Sequence, residues 1–322
     1  MKRALVTGGA GFIGSNLVDR LLADGFTVCA VDNLSTGRIE NLHQAHDNTA
    51  FSFIEADITH GDTVDHMAQF RPDVIFHLAA QADVRVSVAN PVFDATVNVI
   101  GTLQVIEAAV RAGTRRIVAA ASGGTLYGEV DPAQLPIAET TPWQPLAPYG
   151  ISKKVMIDYL RFAHAIHGIE TTSLALGNVF GPRQDPHGEA GVIAIFFQHY
   201  EAGTTPTVFG TGDQTRDFIY VSDIVAAFVA AGNSQGSGQL LNVGTGVETS
   251  VNDLVAFMNR ITRRTVEPTR APARAGELDR SVLDISLAHT TLGWAPQVGI
   301  EEGLGYTWEW FESVQRNAGA ES

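Results

Sequence analysis

The chain has 322 residues, 45% of them hydrophobic, enough to bury a large core in one sizeable domain with an appendage. A formal net charge of −14, from 35 acidic and 21 basic residues, argues against nucleic-acid backbones or anionic membranes as the main ligand. A single cysteine excludes an internal disulfide framework and a cysteine-rich metal centre, and Cys29 inside FTVCAVD reads as a small buried hydrophobe.

In chain order, MKRALVTGGAGFIG reaches glycine too soon for a signal peptide, and no apolar run approaches the roughly 20 residues of a membrane helix. A cytoplasmic protein is the expectation. Strands are predicted at 3–8, 27–32, 51–57, 73–79, 116–122 and 171–178, with helical patterns between them at 14–25, 97–113 and 149–168. Nearly continuous apolar strands alternating with helices imply an α/β fold, a doubly wound parallel sheet of the Rossmann type. After Gly181 the texture changes to a Pro/Gly-punctuated loop at 182–191, then mixed pieces at 217–231 and 240–246 and a basic, Pro-rich stretch at 264–282. The expected division is a dinucleotide-binding domain over 1–177 and about 216–244, and a smaller mixed α/β C-terminal substrate domain over about 178–215 and 245–322.

TGGAGFIG sets Gly8, Gly11 and Gly14 directly after the first strand and at the start of the first helix. Glycines let backbone approach a pyrophosphate, and a helix N-terminus offers N–H donors and a positive dipole end. Asp32 closes the second strand eighteen residues after the last of these glycines. A carboxylate there accepts hydrogen bonds from ribose hydroxyls and repels a 2′-phosphate, which favours NAD over NADP. Arg38, close by, weakens that preference. Asp57, ending the third strand, suits either an adenine-edge contact or a solvated strand end.

Tyr149-x-x-x-Lys153 places both side chains on one helical face. A phenol titrates near 10 in isolation, but a neighbouring ammonium and a cationic nicotinamide favour the phenolate, making the tyrosine usable as a base. Hydroxyls also end the fifth strand in SGGTLYG, Ser122 to Gly128. PHGEAG at 186–191 offers His187 and Glu189, but without further ligands nearby it reads as a loop turn, and no metal is expected.

Together TGGAGFIG, VDNLSTG, ADI, FHLAAQADVRVSV, NVIGT, SGGTLYG, YGISK, GNVFGPRQ, FGTGDQTRDFIYVSD and NVGTG resemble, over essentially the whole length, the extended short-chain dehydrogenases/reductases. Within them the chain is most similar to the NAD-dependent nucleotide-sugar epimerase/dehydratase group, and there to the UDP-glucose 4-epimerases. The resemblance implies NAD binding by Gly8, Gly11, Phe12, Ile13 and Gly14, and at the ribose end by Asp32, Asn33, Ser35, Thr36 and Gly37. It adds Asp57 and Ile58, then Leu78, Ala79, Ala80 and Gln81 with Asn98 and Ala120; His77 would pack beside the cofactor. Lys153 would hold the nicotinamide ribose and tune Tyr149, the catalytic base.

On the substrate side the resemblance implies Asn178, Arg216 and Arg274 at the UDP diphosphate or sugar. Arg85, Ser87, Val192, Val208, Phe209 and Glu277 would complete that lining, with Ser122, Gly123, Thr125, Tyr149 and Ser281 around the sugar. Many relatives carry Ser or Thr four residues before the tyrosine of the -YG- turn, where this chain has Gly123. The hydroxyl partner is therefore Ser122, the preferred choice at the strand end, Thr125, or both. Relatives that dehydrate or decarboxylate carry acids just before that tyrosine; Gly123-Gly124-Thr125 has no ionisable group for such proton shuttling. Gly177 and Ala175 also depart from the residues often seen in the sixth strand.

The implied function is an NAD-dependent UDP-sugar 4-epimerase of the UDP-glucose/UDP-galactose type, with Ser281 leaving room for UDP-N-acetylglucosamine. The alternatives are a UDP-glucuronate 4-epimerase, disfavoured by Asp185 after PRQ, and a non-catalytic NAD- and nucleotide-sugar-binding protein, disfavoured by Tyr149 and Lys153. The helices at 97–112 and 153–166 suit the four-helix bundle of a homodimer. Neither nucleic acid nor membrane is expected as a partner.

Overall fold

In the computed structural model, residues 2–186, 191–234, 238–273 and 278–320 are described. Six strands follow the predicted order: β1 (Arg3–Thr7), β2 (Thr27–Asp32), β3 (Phe51–Glu55), β4 (Val74–His77), β5 (Arg116–Ser122) and β6 (Glu170–Leu176). With β10 (Gln239–Val243) they make a seven-stranded sheet in the order β10-β6-β5-β4-β1-β2-β3, every pair parallel. The order reverses between β1 and β4, and a crevice at such a switch point is where open α/β sheets bind ligands.

The apolar strands are covered on both faces. Ala4, Val6, Val28 and Ala30 join a core with Leu17 and Val18 of α1 (Phe12–Ala23) and Ile224 and Phe228 of α6 (Val221–Asn233). Leu5, Cys29 and Val31, one residue out of phase, join the other core. There they meet Val64 and Met67 of α2 (Gly61–Gln69), Val105 and Ile106 of α3 (Gly101–Ala112), and Met156 and Leu160 of α4 (Pro148–His167). Each fully buried aliphatic side chain contributes about 1.5–3 kcal/mol, so this two-sided alternation holds the sheet.

The second unit hangs from the C-terminal edge of the sheet. It contains β7 (Asn178–Phe180), β8 (Thr207–Phe209), β9 (Thr215–Tyr220), β11 (Glu248–Ser250), β12 (Thr269–Ala271) and β13 (Arg280–Ser281). β9 is its centre, parallel to β7 and β13 and antiparallel to β11, while β8 and β12 pair separately. The helices α5 (Val192–Glu201), α7 (Val251–Thr262) and α8 (Ile300–Ala320) complete it.

Two expectations change in detail. The chain returns to the large sheet at α6, not at 216, because β9 finds its neighbours in the small sheet and β10 fills the seventh position of the large one. The helix expected from 97 begins as a π-helical turn at Thr96–Ile100 before α3, continuous with the short helix Pro91–Ala95. The resulting 22-residue run over 91–112 is by length and composition apolar enough to cross a membrane, contrary to the sequence expectation. Its inner face is nonetheless core, through Asn98, Thr102, Val105, Ile106, Ala108 and Ala109.

Candidate active site

The glycine turn between β1 and α1 is closed against any larger residue. A Cβ on Gly14 would lie 2.0 Å from the Gly8 carbonyl oxygen, and Gly8 itself has φ +69° with its Cβ position 2.7 Å from Ala79 N. Gly11 caps α1 without a side-chain acceptor, so the first-turn N–H groups face the crevice. Phe12 and Ile13, partly buried, anchor that turn in the core.

Asp32 ends β2 at 8% exposure, accepting from Ala10 N at 3.0 Å and Leu34 N at 2.9 Å. Burial pushes its pKa up against those donors. A Cβ on Gly37 would sit 2.8 Å from this carboxylate, so glycine keeps the approach to it open. Arg38 is turned to Asp185, 3.0 Å away. Beside it Asn33 donates to Asp57 at 2.8 Å and accepts from Ser35 Oγ at 2.7 Å; Thr36 is exposed. Asp57 also accepts from Thr59 N and Oγ1, and these donors outweigh partial burial and hold its pKa down. Ile58 is buried against Gly101.

The loop after β4 is clamped by the π-helical turn. Asn98 accepts from Gln81 N at 2.9 Å and donates to Gln81 O at 2.8 Å, to Asp94 Oδ1 at 3.0 Å and to Ser152 Oγ at 3.1 Å. The amide is thereby spent on protein groups and fixes the 78–81 loop. Leu78, Ala79 and Ala80 run through that loop partly buried. His77 is a core residue at 2% exposure, with Nδ1 2.8 Å from Thr7 Oγ1 and Nε2 3.0 Å from Thr102 Oγ1. Burial, with help from Lys153, lowers its pKa to about 3 and keeps it neutral.

Lys153, at 2% exposure, donates to Ala120 O at 2.9 Å and lies 5.8 Å from the centroid of the Tyr149 ring. Both stand near the start of α4, with Pro148 at its first turn, so the pair is presented at the C-terminal edge of β5. Ser122 ends β5 half-buried and caps no backbone donor of the short turn that follows. Thr125 Oγ1, by contrast, is buried without a hydrogen-bond partner. Position 123 takes no side chain at all: a Cβ there would meet Leu283 Cδ1 at 2.7 Å and Leu176 O at 3.0 Å.

On the facing unit, Asn178 starts β7 and Val192 starts α5. Arg216 in β9 stands in register with Ser281 of β13 and donates from Nη1 to Thr215 O at 2.8 Å. Ser281 is buried at 5% exposure. Val208 is packed into the core and Phe209 is half-buried in β8. Arg85 is 77% exposed and paired with Asp83 at 2.8 Å, while the Ser87 hydroxyl is buried and donates to Val84 O. Arg274 and Glu277, like His187 and Glu189, lie outside the described residues.

Residues 5–307 match the GDP-mannose 4,6 dehydratase family model. The chain is 49% identical to the UDP-glucose 4-epimerase of Mycolicibacterium smegmatis over 97% of its own length and 99% of that protein's. A crystal structure of UDP-glucose 4-epimerase with UDP-glucose from Thermotoga maritima superposes with a TM-score of 0.92 at 41% identity, covering 97% of this chain and 99% of that one. The UDP-glucose 4-epimerase of Thermus thermophilus in complex with NAD gives 0.89 at 39% identity, covering 96% and 99%.

The chain belongs to the GDP-mannose 4,6 dehydratase family. Its fold is that of the extended short-chain dehydrogenases/reductases, and its cofactor is NAD. The residues present fit that cofactor: glycines at 8, 11 and 14 leave room that a Cβ would fill, and the uncapped start of α1 provides donors. Asp32 supplies a carboxylate at the adenosine end, and Arg38 is engaged by Asp185.

Sequence reasoning passed over three buried acids or acid partners. Asp94, at 1% exposure, accepts from both Asn98 and Gln81, and its i,i+4 spacing to Asn98 was the available signal. Glu139, half-buried, accepts from Asn242 N, and Asn242 in turn accepts from Tyr127 Oη at 2.6 Å. Asp217 is buried beside Arg216. The last two pair across long sequence separations, which no local pattern announces.

Proposed function

We propose that the chain is an NAD-dependent UDP-sugar 4-epimerase acting between UDP-glucose and UDP-galactose. The observation that carries this reading is the pairing of Tyr149 and Lys153 above a β5 turn that offers a hydroxyl and no acid. When bound, NAD supplies a reversible hydride acceptor at the sugar C4. Tyr149 takes the proton of the sugar O4 and later returns it from the opposite orientation of the ring. Lys153, fixed by Ala120 O, holds positive charge beneath the phenol and favours its ionised form. Ser122 donates to O4 and orients it toward Tyr149. Asn178 and Arg216 grip the diphosphate, so that the sugar turns about its phosphate linkage without leaving.

The absence of ionisable groups at positions 123–125 leaves nothing to move a proton between C5 and C6, which supports epimerisation over dehydration. The buried Ser281 hydroxymethyl beside Arg216 takes less room than an aromatic, and this supports acceptance of UDP-N-acetylglucosamine. For UDP-glucuronate, the exposed Arg85 is paired with Asp83, and after PRQ stands an acid, Asp185, paired with Arg38, where a base would suit a carboxylate sugar, so the neutral sugars are favoured.

A homodimer fits the surface. Apolar side chains stand exposed along 84–112 and 148–167, among them Val88, Val92, Phe93, Ile151, Phe162 and Ile166, with Val92 at 76% and Ile166 at 66%. Two copies of these helices packed together would bury them in a four-helix bundle. The cytoplasm is the proposed compartment. Incubation with UDP-glucose, UDP-N-acetylglucosamine and UDP-glucuronate separately, with the 4-epimers resolved, tests the activity. Turnover of the first is expected, and turnover of none would refute the reading.

A further inference from the structure

Asp217 has no role in the chemistry above, although it adjoins Arg216. Its carboxylate is 2% exposed and accepts four hydrogen bonds: from Thr245 N and Thr245 Oγ1, both at 2.7 Å, Gly246 N at 3.1 Å and Leu283 N at 3.3 Å. None of these donors is a cation. A buried carboxylate without a cation is costly to keep, and burial raises its pKa in spite of the four donors.

What the carboxylate joins gives the reason. It sits on β9, the strand of Arg216; Thr245 and Gly246 follow β10 of the large sheet; Leu283 follows β13, the strand of Ser281. Asp217 is packed tightly enough to require glycine just past two large-sheet strands, its carboxylate past β10 and its backbone carbonyl past β6. A Cβ on Gly244, after β10, would lie 2.3 Å from Asp217 Oδ2, and one on Gly177, after β6, would lie 2.8 Å from Asp217 O. This accounts for glycine at position 177. The brace also reaches the catalytic turn, since Leu283 fills the space where Gly123 would carry a side chain.

We infer that Asp217 is a positioning residue for the sugar nucleotide, its carboxylate bracing Arg216 and the Leu283 segment against the end of β10. The inference rests on the reading of Arg216 as a diphosphate ligand. Loss of the brace lets the substrate-binding strands drift while Tyr149 and Lys153, on a separate helix, stay in place. The expected signature is therefore in KM.

The test is steady-state kinetics of the NAD-loaded enzyme on UDP-glucose for Asp217→Asn, Thr245→Val and Arg216→Ala. Asp217→Asn should raise KM roughly tenfold or more with kcat within about threefold, and Thr245→Val should raise KM roughly threefold. NAD content should be unchanged in both. An unchanged KM in folded Asp217→Asn, or a loss confined to kcat, overturns the inference; if that variant does not fold, Thr245→Val decides by the same criterion. Arg216→Ala with an unchanged KM would overturn the reading of the site itself. A raised KM for Arg216→Ala alone would overturn only the role of Asp217.

Discussion

The two ends of the crevice are built on opposite principles. At the proposed cofactor end, backbone does much of the shaping: glycines at 8, 11 and 14 admit close approach, the Asn98 amide is used up in holding the 78–81 loop, and Asp32 adds a carboxylate. At the proposed sugar-nucleotide end, the candidate side chains are carried by short strands, with Arg216 and Ser281 on β9 and β13. The first end is rigid because nothing larger fits; the second depends on long-range braces such as Asp217. The difference matches the task proposed for each, since the cofactor stays and the sugar must turn.

The sharpest break in that comparison lies where the two ends meet. Tyr149→Phe should lower kcat roughly a thousandfold while NAD and UDP-glucose still bind, measured by turnover and by calorimetric titration. Near-normal turnover would remove Tyr149 as the base. Gly14→Ala attacks the backbone end directly: its Cβ, 2.0 Å from Gly8 O, should cost about 1–3 kcal/mol of stability and most of the bound NAD. Normal NAD content at full occupancy would show that the turn yields more easily than its geometry implies.

The hydroxyl question gives a smaller effect. Ser122→Ala should lower kcat about tenfold, the loss of one hydrogen bond to a reacting oxygen. Thr125→Val should lower kcat less than Ser122→Ala does and leave stability little changed, because its buried Oγ1 makes no hydrogen bond to the protein. The reverse order of losses would make Thr125 the partner of Tyr149.

A separate effect is on the pH dependence of stability. In the fold His77 binds no proton above a pKa of about 3, whereas the unfolded imidazole takes one up below 6.5. The unfolded state therefore holds more protons across that window, and stability falls as pH drops from about 6.5 toward 3, by up to about 1.4 kcal/mol per pH unit. His77→Gln should flatten the slope in denaturant melts taken from pH 7 to 5. An unaltered slope would place the acid sensitivity elsewhere.

Much of the cofactor end was legible in the sequence, because its determinants are local. A strand, a glycine turn and a helix adjoin one another between Arg3 and Ala23, and the apolar runs of β1 to β6 declare a sheet buried on both faces. The Tyr149–Lys153 pair proposed for catalysis was equally plain, being one turn of a helix apart. The sugar-nucleotide end was not, since β9 pairs with strands from 178, 248 and 280 that no periodicity links. Asn98 shows the same limit at closer range. Its position was readable, but its engagement with Gln81, Asp94 and Ser152 appears only when α4 is brought beside the π-helical turn.

Isotope retention tests the proposed chemistry most directly. UDP-glucose deuterated at C4 should be converted, without added cofactor, to UDP-galactose that keeps its deuterium at C4. Loss of the label to solvent, or no conversion by protein carrying NAD, would contradict the transfer of hydride out and back within one closed site.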